Sequence, residues 1–231
     1  MIVRRLAAPL TIDGDMAKWR KAGITPQILI TPVTASGSID GPRDASAVVR
    51  LAYEGKNLYV QVIRFDDVVT FHQPVSKSHL QDSVEIMLNG FFEGFQWSVS
   101  EFTDAGPAMI RRRFFANHLQ ELTDARHAPR SIKVLDNAKD VPERALIETA
   151  YGIDMSDCKV IVTEFKLPID KETYRGSEES VFAVRPGATF WLGFLIGDND
   201  VPGTDVQDLL VWPASYGTFQ PREDGALAIF E

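Results

Sequence analysis

A catalytic interpretation of this sequence has to start from Cys158, the single cysteine of the chain. Lys159 follows it and could lower the pKa of the thiol, but both residues begin a β-rich run in which a thiol is expected to be buried. No base is marked as a partner for Cys158. The nucleophile-elbow, phosphate-loop, dinucleotide-binding and zinc-protease motifs do not occur. The sequence therefore predicts that the protein is not an enzyme, with no catalytic residues.

Oxygen ligands are concentrated in the loop that contains Asp198, Asn199, Asp200 and Asp205. Carboxylate and amide oxygens at this density could hold a structural Ca²⁺. The spacing is not that of an EF-hand loop, and aspartate is also a common turn residue because its side chain binds its own backbone. The expectation is therefore no cofactor and no metal ligands, with a structural Ca²⁺ as the open alternative.

Positive charge is concentrated only at Arg111, Arg112 and Arg113, and Glu121 and Asp124 soon follow. The chain has 24 Lys+Arg against 32 Asp+Glu, which gives a formal net charge of −8. Because nucleic-acid affinity comes mostly from Lys and Arg on phosphates, we expect no nucleic-acid partner. The spacing of RRRFFANHLQEL favours a helix with solvated arginines; in an extended segment, Arg111 and Arg113 would share one face.

Length and composition indicate an ordinary globular protein, since 231 residues with 45% hydrophobic side chains can bury a substantial core. We expect one domain over residues 1–231. The N-terminus lacks the features of a signal peptide, and the longest apolar run, Phe190 to Gly197, is far shorter than the ~20 residues of a membrane helix. The prediction is no membrane contact and a cytoplasmic location, or a secreted protein if a leader has been removed. The oligomeric state is left open.

Strand signals dominate the pattern. Residues 48–67 form two β-rich runs around Glu54-Gly55-Lys56-Asn57, which indicates a hairpin. The second run is apolar on both faces, so we expect it to be covered on both sides. DSVEIMLNG alternates, with Val84, Ile86 and Leu88 on one face and Glu85 on the other. Further strands are expected at FQWSVS, CKVIVTEFKLP, ATFWLGFLIGD, QDLLVWP and GALAIFE. With one helix at RRRFFANHLQEL and a short helical turn after Ser156, this pattern predicts an all-β, antiparallel sandwich.

Four segments, in this order, carry a resemblance to a known family. They are TIDGDMAKWRKA, the hairpin ending in NLYVQVIRFDD, the strand LQDSVEIMLNG, and the C-terminal series TFWLGFLIGDND, Trp212 and GALAIFE. Together they resemble family 9 carbohydrate-binding modules over nearly the whole chain. The resemblance implies a jelly-roll-like β-sandwich related to DOMON-like domains, and calcium in some members.

The resemblance also implies a non-catalytic sugar-binding function. In that family two tryptophans enclose a sugar, because flat rings cover the apolar C–H faces of a pyranose while polar groups bind its hydroxyls. Glu85 matches the family's binding glutamate, and His79 occupies the position of the first tryptophan. Trp212 matches the second, and Trp97 or Arg111 could contribute. The expected partner is a small sugar or the end of a polysaccharide.

Several of these residues also have structural interpretations. Trp19 is expected to anchor the N-terminal segment and Trp191 to lie in the core, while Trp97 shares a strand face with Phe95 and Val99 and is assigned more readily to the core than to a ligand. For Trp212, packing and ligand contact are equally supported. Two other functions stay open: a haem-binding DOMON-like domain, and a protein-interaction module that uses the surface around Trp212, Tyr216 and Phe219.

Overall fold

The structure is a computed structural model of the chain. It describes residues 1–31, 39–70, 82–92, 95–96, 111–116, 130–168, 184–201, 208–213 and 226–231. At residues 85, 87–92, 95–96, 111–116, 130, 168, 191 and 195 the description covers the backbone only. The predicted sites at His79 and Trp97, and the loop residue Asp205, lie outside the described residues.

Strands account for most of the described regular structure, with two short helices between them. The strands are β1 (Ile2–Arg5), β2 (Ile28–Ile30), β3 (Ala45–Glu54), β4 (Asn57–Asp66), β5 (Ser83–Phe92), β6 (Phe95–Gln96), β7 (Arg111–Ala116), β8 (Arg130–Leu135), β9 (Lys159–Pro168), β10 (Thr189–Asp198), β11 (Asp208–Trp212) and β12 (Ala226–Phe230). The helices are α1 (Met16–Lys21) and α2 (Arg144–Tyr151). Neither described helix is long and apolar enough to cross a membrane.

Two layers of strands form the sandwich. In the front sheet, β7, β5 and β10 are antiparallel neighbours, and the other edge of β10 pairs with β11 and β12. In the back sheet, β2, β3, β4, β9 and β8 pair in antiparallel fashion. Strand β1 belongs to both, because it runs parallel to β12 and then parallel to β3. The predicted antiparallel sandwich is confirmed, and these two parallel pairs are additions to it.

The hairpin between β3 and β4 shows how the local sequence sets the register. Glu54 pairs with Asn57, so that Gly55 and Lys56 form a two-residue turn. Gly55 has a φ of +56°, a conformation that glycine adopts without the steric cost of a Cβ. The turn fixes which residues of β3 and β4 share a face.

The main core lies between the two sheets and follows the period of two along each strand. In the front sheet, Val84 and Ile86 of β5 and Phe190, Leu192 and Phe194 of β10 are buried in it. Alternate residues of β3, β4 and β9 close it from the back sheet: Val49, Leu51, Tyr53, Leu58, Val60, Val62, Phe165 and Leu167.

The opposite face of the back sheet is also covered. Leu6, Trp19, Ile24, Ala52 and Tyr59 form one cluster there. A second cluster joins β3, β4 and β9 to the segment around α2: Val48, Ile63, Phe65, Ala138, Val141, Ile147, Met155, Cys158, Val160 and Val162. Strand β4 is therefore buried on both faces, as predicted.

Trp19 anchors the N-terminal segment, as expected. Its ring is fully buried, and Nε1 donates to Oε1 of Glu164 at 2.6 Å. The other oxygen of Glu164 accepts from the backbone N–H of Gly14 at 2.8 Å and from Nζ of Lys18 at 2.7 Å. One carboxylate of β9 thus holds the turn, the helix α1 and the tryptophan together.

The prediction of a helix at RRRFFANHLQEL is wrong for Arg111–Ala116, because these residues form strand β7. Pairing with β5 decides the conformation, because each residue from Arg111 to Ala116 finds a partner there and tertiary context overrides weak helical spacing. After Ser156 the chain makes a turn, in which the N–H of Cys158 donates to the carbonyl of Met155, and no helix follows. Cys158 is buried, as expected, and burial raises the pKa of its thiol.

Candidate functional site

The outer face of the front sheet is defined here as the face opposite the core. Val84 and Ile86 lie in the core, so Glu85 occupies an outer-face position. Glu85 pairs with Phe115 of β7 and Leu195 of β10, and Leu195 pairs with Val211 of β11. We call this the Glu85 row. The register thus places Glu85 in the middle of a sheet face rather than at its edge.

Arg111 lies on the same outer face as Glu85, but not in the same row. It pairs with Asn89, four residues from Glu85 along β5. At about 3.3 Å per residue, this separation is about 13 Å along the strand. Arg113 pairs with Met87 and is closer to Glu85. The extended alternative for the arginines is therefore the one that the backbone adopts.

Trp212 lies on the other side of the front sheet from Glu85. It pairs with Phe194, which pairs with Ile86, and both of these partners are fully buried. The indole of Trp212 is half-buried, packs against the core, and lies 6.1 Å from the Phe194 ring between centroids. The structure therefore does not bring Trp212 and Glu85 onto one face, although Trp212 ends β11 at a loop.

Trp191 was expected in the core, and the register places it elsewhere. Phe190 and Leu192 are both fully buried between the sheets. Residue 191 alternates with them and therefore occupies an outer-face position, the same face as Glu85. The apolar run FWLGFLI concealed this alternation, because aromatic and aliphatic residues occupy both of its faces.

A second candidate site lies at one end of the sandwich, where three buried aspartates converge. Asp66 ends β4, Asp82 precedes β5 and Asp198 ends β10, and they are 3%, 0% and 2% exposed. One carboxylate oxygen from each lies within 4.8 Å of the others. We call Asp66, Asp82 and Asp198 the buried triad.

Hydrogen bonds satisfy only part of the buried triad. Asp82 accepts from the backbone N–H groups of Thr70, at 2.5 Å, and Asn199, at 3.1 Å. Asp66 accepts from the N–H of Val68 at 2.8 Å. Oδ1 of Asp198 has no hydrogen-bond partner within the described part of the chain, and neither does the buried hydroxyl of Thr70. Nε and Nη2 of Arg64, which neighbours the triad, also lack a partner there. Buried polar atoms without partners are costly, so a water molecule or an ion would complete this arrangement.

Burial and crowding make the three carboxylates of the buried triad hard to ionise together, and a bound cation would relieve this repulsion. Burial, together with the neighbouring carboxylates, raises the pKa of Asp66 to about 9 and that of Asp198 to about 8. Burial also raises the pKa of Asp82, to about 6, although the Arg64 guanidinium opposes the shift. The Arg64 side chain is itself buried, and its Nη1 donates to the carbonyl of Ser83 at 3.4 Å. With all three carboxylates ionised, the triad and Arg64 would carry a net charge of −2.

A second group of carboxylates lies beside the buried triad. Oxygens of Asp44, Asp67 and Asp200 also approach within 4.8 Å of one another, but Asp67 and Asp200 are exposed. Burial and the charge of Asp44 raise the pKa of Asp200 to about 7. Exposed acidic groups are common without a metal, so this group alone does not define a site.

The buried triad fits a hard divalent cation such as Ca²⁺. Ca²⁺ prefers carboxylate and carbonyl oxygens at about 2.3–2.6 Å, which requires any two of its ligands to lie within about 5 Å of each other. The three carboxylates meet this limit, and one divalent cation would balance their net charge with Arg64. Bound there, the ion would act as a structural cross-link between β4, β5 and β10.

The sequence drew attention to Asp198 and Asp200 but missed Asp66. The residues of the buried triad are far apart in the chain, and only the sheet order brings them to one end of the sandwich. The signal that could have found them is an aspartate at each strand end: RFDD at the end of β4, QDS at the start of β5 and IGDND at the end of β10.

Comparison with solved structures identifies the fold. A family 9 carbohydrate-binding module from Caldicellulosiruptor kristjanssonii in complex with glucose matches 100% of this chain and 96% of its own, with a TM-score of 0.57 and 14% identity. A module of that family from the same organism in complex with cellotriose matches 100% of this chain and 94% of its own, with a TM-score of 0.58 and 14% identity. A Bacteroides uniformis protein provisionally described as carbohydrate-binding matches 100% of this chain and 98% of its own, with a TM-score of 0.55 and 12% identity.

No protein-family model matches the sequence, and the search of curated proteins found no match. The structural likeness is nevertheless consistent, because each of these matches extends over the whole chain. The chain therefore has the fold of the family 9 carbohydrate-binding modules, as the four sequence segments predicted.

Proposed function

We propose that this protein is a non-catalytic carbohydrate-binding domain. The observation that carries the proposal is the likeness of its whole fold to modules whose structures hold glucose and cellotriose. The sandwich also offers a sheet face with a glutamate at its centre and arginines on the adjacent strand. A sugar needs this combination of a broad surface and charged hydrogen-bonding groups.

In this proposal the sugar lies on the outer face of the front sheet. Glu85 accepts hydrogen bonds from hydroxyl groups, and Arg113 of β7 donates to others. Arg111, about 13 Å from Glu85 along the strand, would contact only a larger ligand. His79 and Trp97 stay as predicted contributors from outside the described residues. Trp212, half-buried on the core side, would contribute only through the exposed part of its ring at the end of β11.

The buried triad has a supporting role in this proposal. A Ca²⁺ held by Asp66, Asp82 and Asp198 would fix the ends of β4, β5 and β10, and would thereby hold the strand that carries Glu85. The triad lies at an end of the sandwich rather than on the proposed sugar-binding face. It would therefore act on stability and on the position of β5, not on the sugar directly.

The test is a calorimetric titration of wild type and Glu85→Gln with a panel of mono- and oligosaccharides that includes glucose and cellotriose. We expect saturable binding that weakens at least tenfold in Glu85→Gln, because a charged hydrogen bond is worth about 1.5–3 kcal/mol. Glu54→Gln, in the back sheet at the β3–β4 turn, is the matched control and should bind like wild type. If folded wild-type protein binds none of the sugars, the proposal fails.

A further inference from the structure

The outer face of the front sheet contains a second row that combines an aromatic residue with polar ones. Trp191 of β10 pairs with Asn89 of β5 on one side and with Leu227 of β12 on the other, and Asn89 pairs with Arg111 of β7. We call these four residues the Trp191 row. A tryptophan, an asparagine and an arginine thus occupy adjacent backbone positions across three strands.

Solvent reaches this part of the face. Leu227, the β12 member of the Trp191 row, is 46% exposed. Ile229, two residues along β12, is 37% exposed, and its β1 partner Ile2 is 52% exposed. Each of them alternates with a buried neighbour, Ala228, Phe230 or Val3. These three side chains form an exposed apolar margin beside the Trp191 row.

The Trp191 row lies too far from the Glu85 row for one sugar ring to span both. Trp191 and Leu195 are four residues apart on β10, which is about 13 Å along the strand. A chain of several sugar units laid along β10 would reach both rows. Its apolar faces would match Trp191 and the exposed margin, while Asn89 and Arg111 would bind its hydroxyls.

We propose that the sugar-binding face extends along β10 from the Glu85 row to the Trp191 row, with Trp191 as a stacking platform, so that the ligand is a linear oligosaccharide. This inference rests on the proposed function and deepens it. It explains why Arg111 lies a full four residues from Glu85: Arg111 serves the second part of the site. Trp191 then determines preference for chain length rather than binding of the first sugar unit.

The test compares a monosaccharide with a trisaccharide on the full chain. Wild type, Trp191→Ala and Trp191→Phe are titrated with glucose and with cellotriose, with laminaritriose and xylotriose as alternative trisaccharides. We expect wild type to bind one trisaccharide at least tenfold more tightly than glucose. Trp191→Ala should lose about tenfold in trisaccharide affinity with glucose affinity unchanged, and Trp191→Phe should fall between. Tyr151→Ala, an exposed aromatic on α2, is the matched control and should change neither.

A second variant keeps the test informative if Trp191→Ala does not fold. Leu227 is exposed, so Leu227→Glu should fold and should weaken trisaccharide binding selectively. Equal affinity of wild type for glucose and every trisaccharide, or equal loss of both ligands in the variants, overturns the extended site and leaves the proposed function standing. A concentration-dependent dimer that Leu227→Glu dissociates also overturns it, since a second copy would then cover this face. Failure of wild type to bind any sugar defeats the proposed function itself.

Discussion

Two buried carboxylates, those of Glu164 and Asp198, differ in how many hydrogen bonds they accept. Glu164 accepts hydrogen bonds from Trp19, Gln61, Gly14 and Lys18, and so its charge is fully compensated within the protein. Asp198 is just as buried, but its Oδ1 has no partner in the described chain. The hydrogen bonds of Glu164 explain its burial, whereas those of Asp198 among the described residues do not.

At the residue scale, we therefore expect Ca²⁺ to stabilise the protein through Asp198. At a Ca²⁺ concentration about 100 times the dissociation constant, binding contributes about 2.7 kcal/mol, which raises the Tm by about 5–10 °C in a chain of this size. Asp198→Asn should abolish this increase, because the amide offers a neutral and weaker ligand. Asp157→Asn, an exposed aspartate, is the control. Thermal unfolding with Ca²⁺ and with a chelator measures the effect, and an undiminished increase in Asp198→Asn would refute the cation site.

At the element scale, strands that alternate were predictable and short helices were not. The β3–β4 hairpin was predicted from two β-rich runs around a glycine turn, and β5 from its clear alternation; both fold as predicted. Helix α1 has six residues, too few to show helical periodicity, although Asp15 marks its start by accepting from the N–H of Ala17. The sequence of β7 shows no apolar–polar alternation that would distinguish a strand from a helix. Its pairing with β5 is a long-range contact, which a local sequence pattern cannot predict.

Some residues of the proposed site could likewise be placed from the sequence, and others could not. Glu85 was placed on the face opposite the core from the alternation of DSVEIMLNG alone, and the register agrees. Trp191 was misassigned because both faces of its strand are apolar. The buried triad was not predicted: each member is only an aspartate at a strand end in the sequence, and the three ends meet only after the sheets have formed.

The anchoring of α1 by β9 makes a prediction at this scale. Glu164→Gln replaces an acceptor-only carboxylate by an amide that cannot accept from all the donors around it, and leaves Lys18 without its buried partner. We expect a loss of about 3 kcal/mol in the free energy of unfolding, the range for breaking a buried ion pair. Urea unfolding followed by tryptophan fluorescence measures it. Glu54→Gln should cost less than about 0.5 kcal/mol, and a similarly small loss in Glu164→Gln would disprove the anchoring role.

At the scale of the whole molecule, the two sheets differ in what covers their outer faces. The back sheet is covered by the clusters around α1 and α2, so its strands β3, β4 and β9 are largely buried on both sides. The outer face of the front sheet keeps exposed apolar residues at Leu227 and Ile229 beside the positions of Trp191 and Asn89. Among the described residues, cover is therefore seen on the back sheet and exposed apolar side chains on the front sheet, where we propose that the ligand binds.

The most direct test of this account is to map the bound sugar by the ¹⁵N–¹H NMR spectrum of wild-type protein titrated with the tightest-binding member of the sugar panel. The account predicts that the amide signals that shift belong to the front sheet, in residues 85–91 of β5 and 189–195 of β10. Signals of α1, α2 and β9 should stay in place. A spectrum that no sugar changes, or shifts confined to the back sheet and its helices, would contradict the central claim.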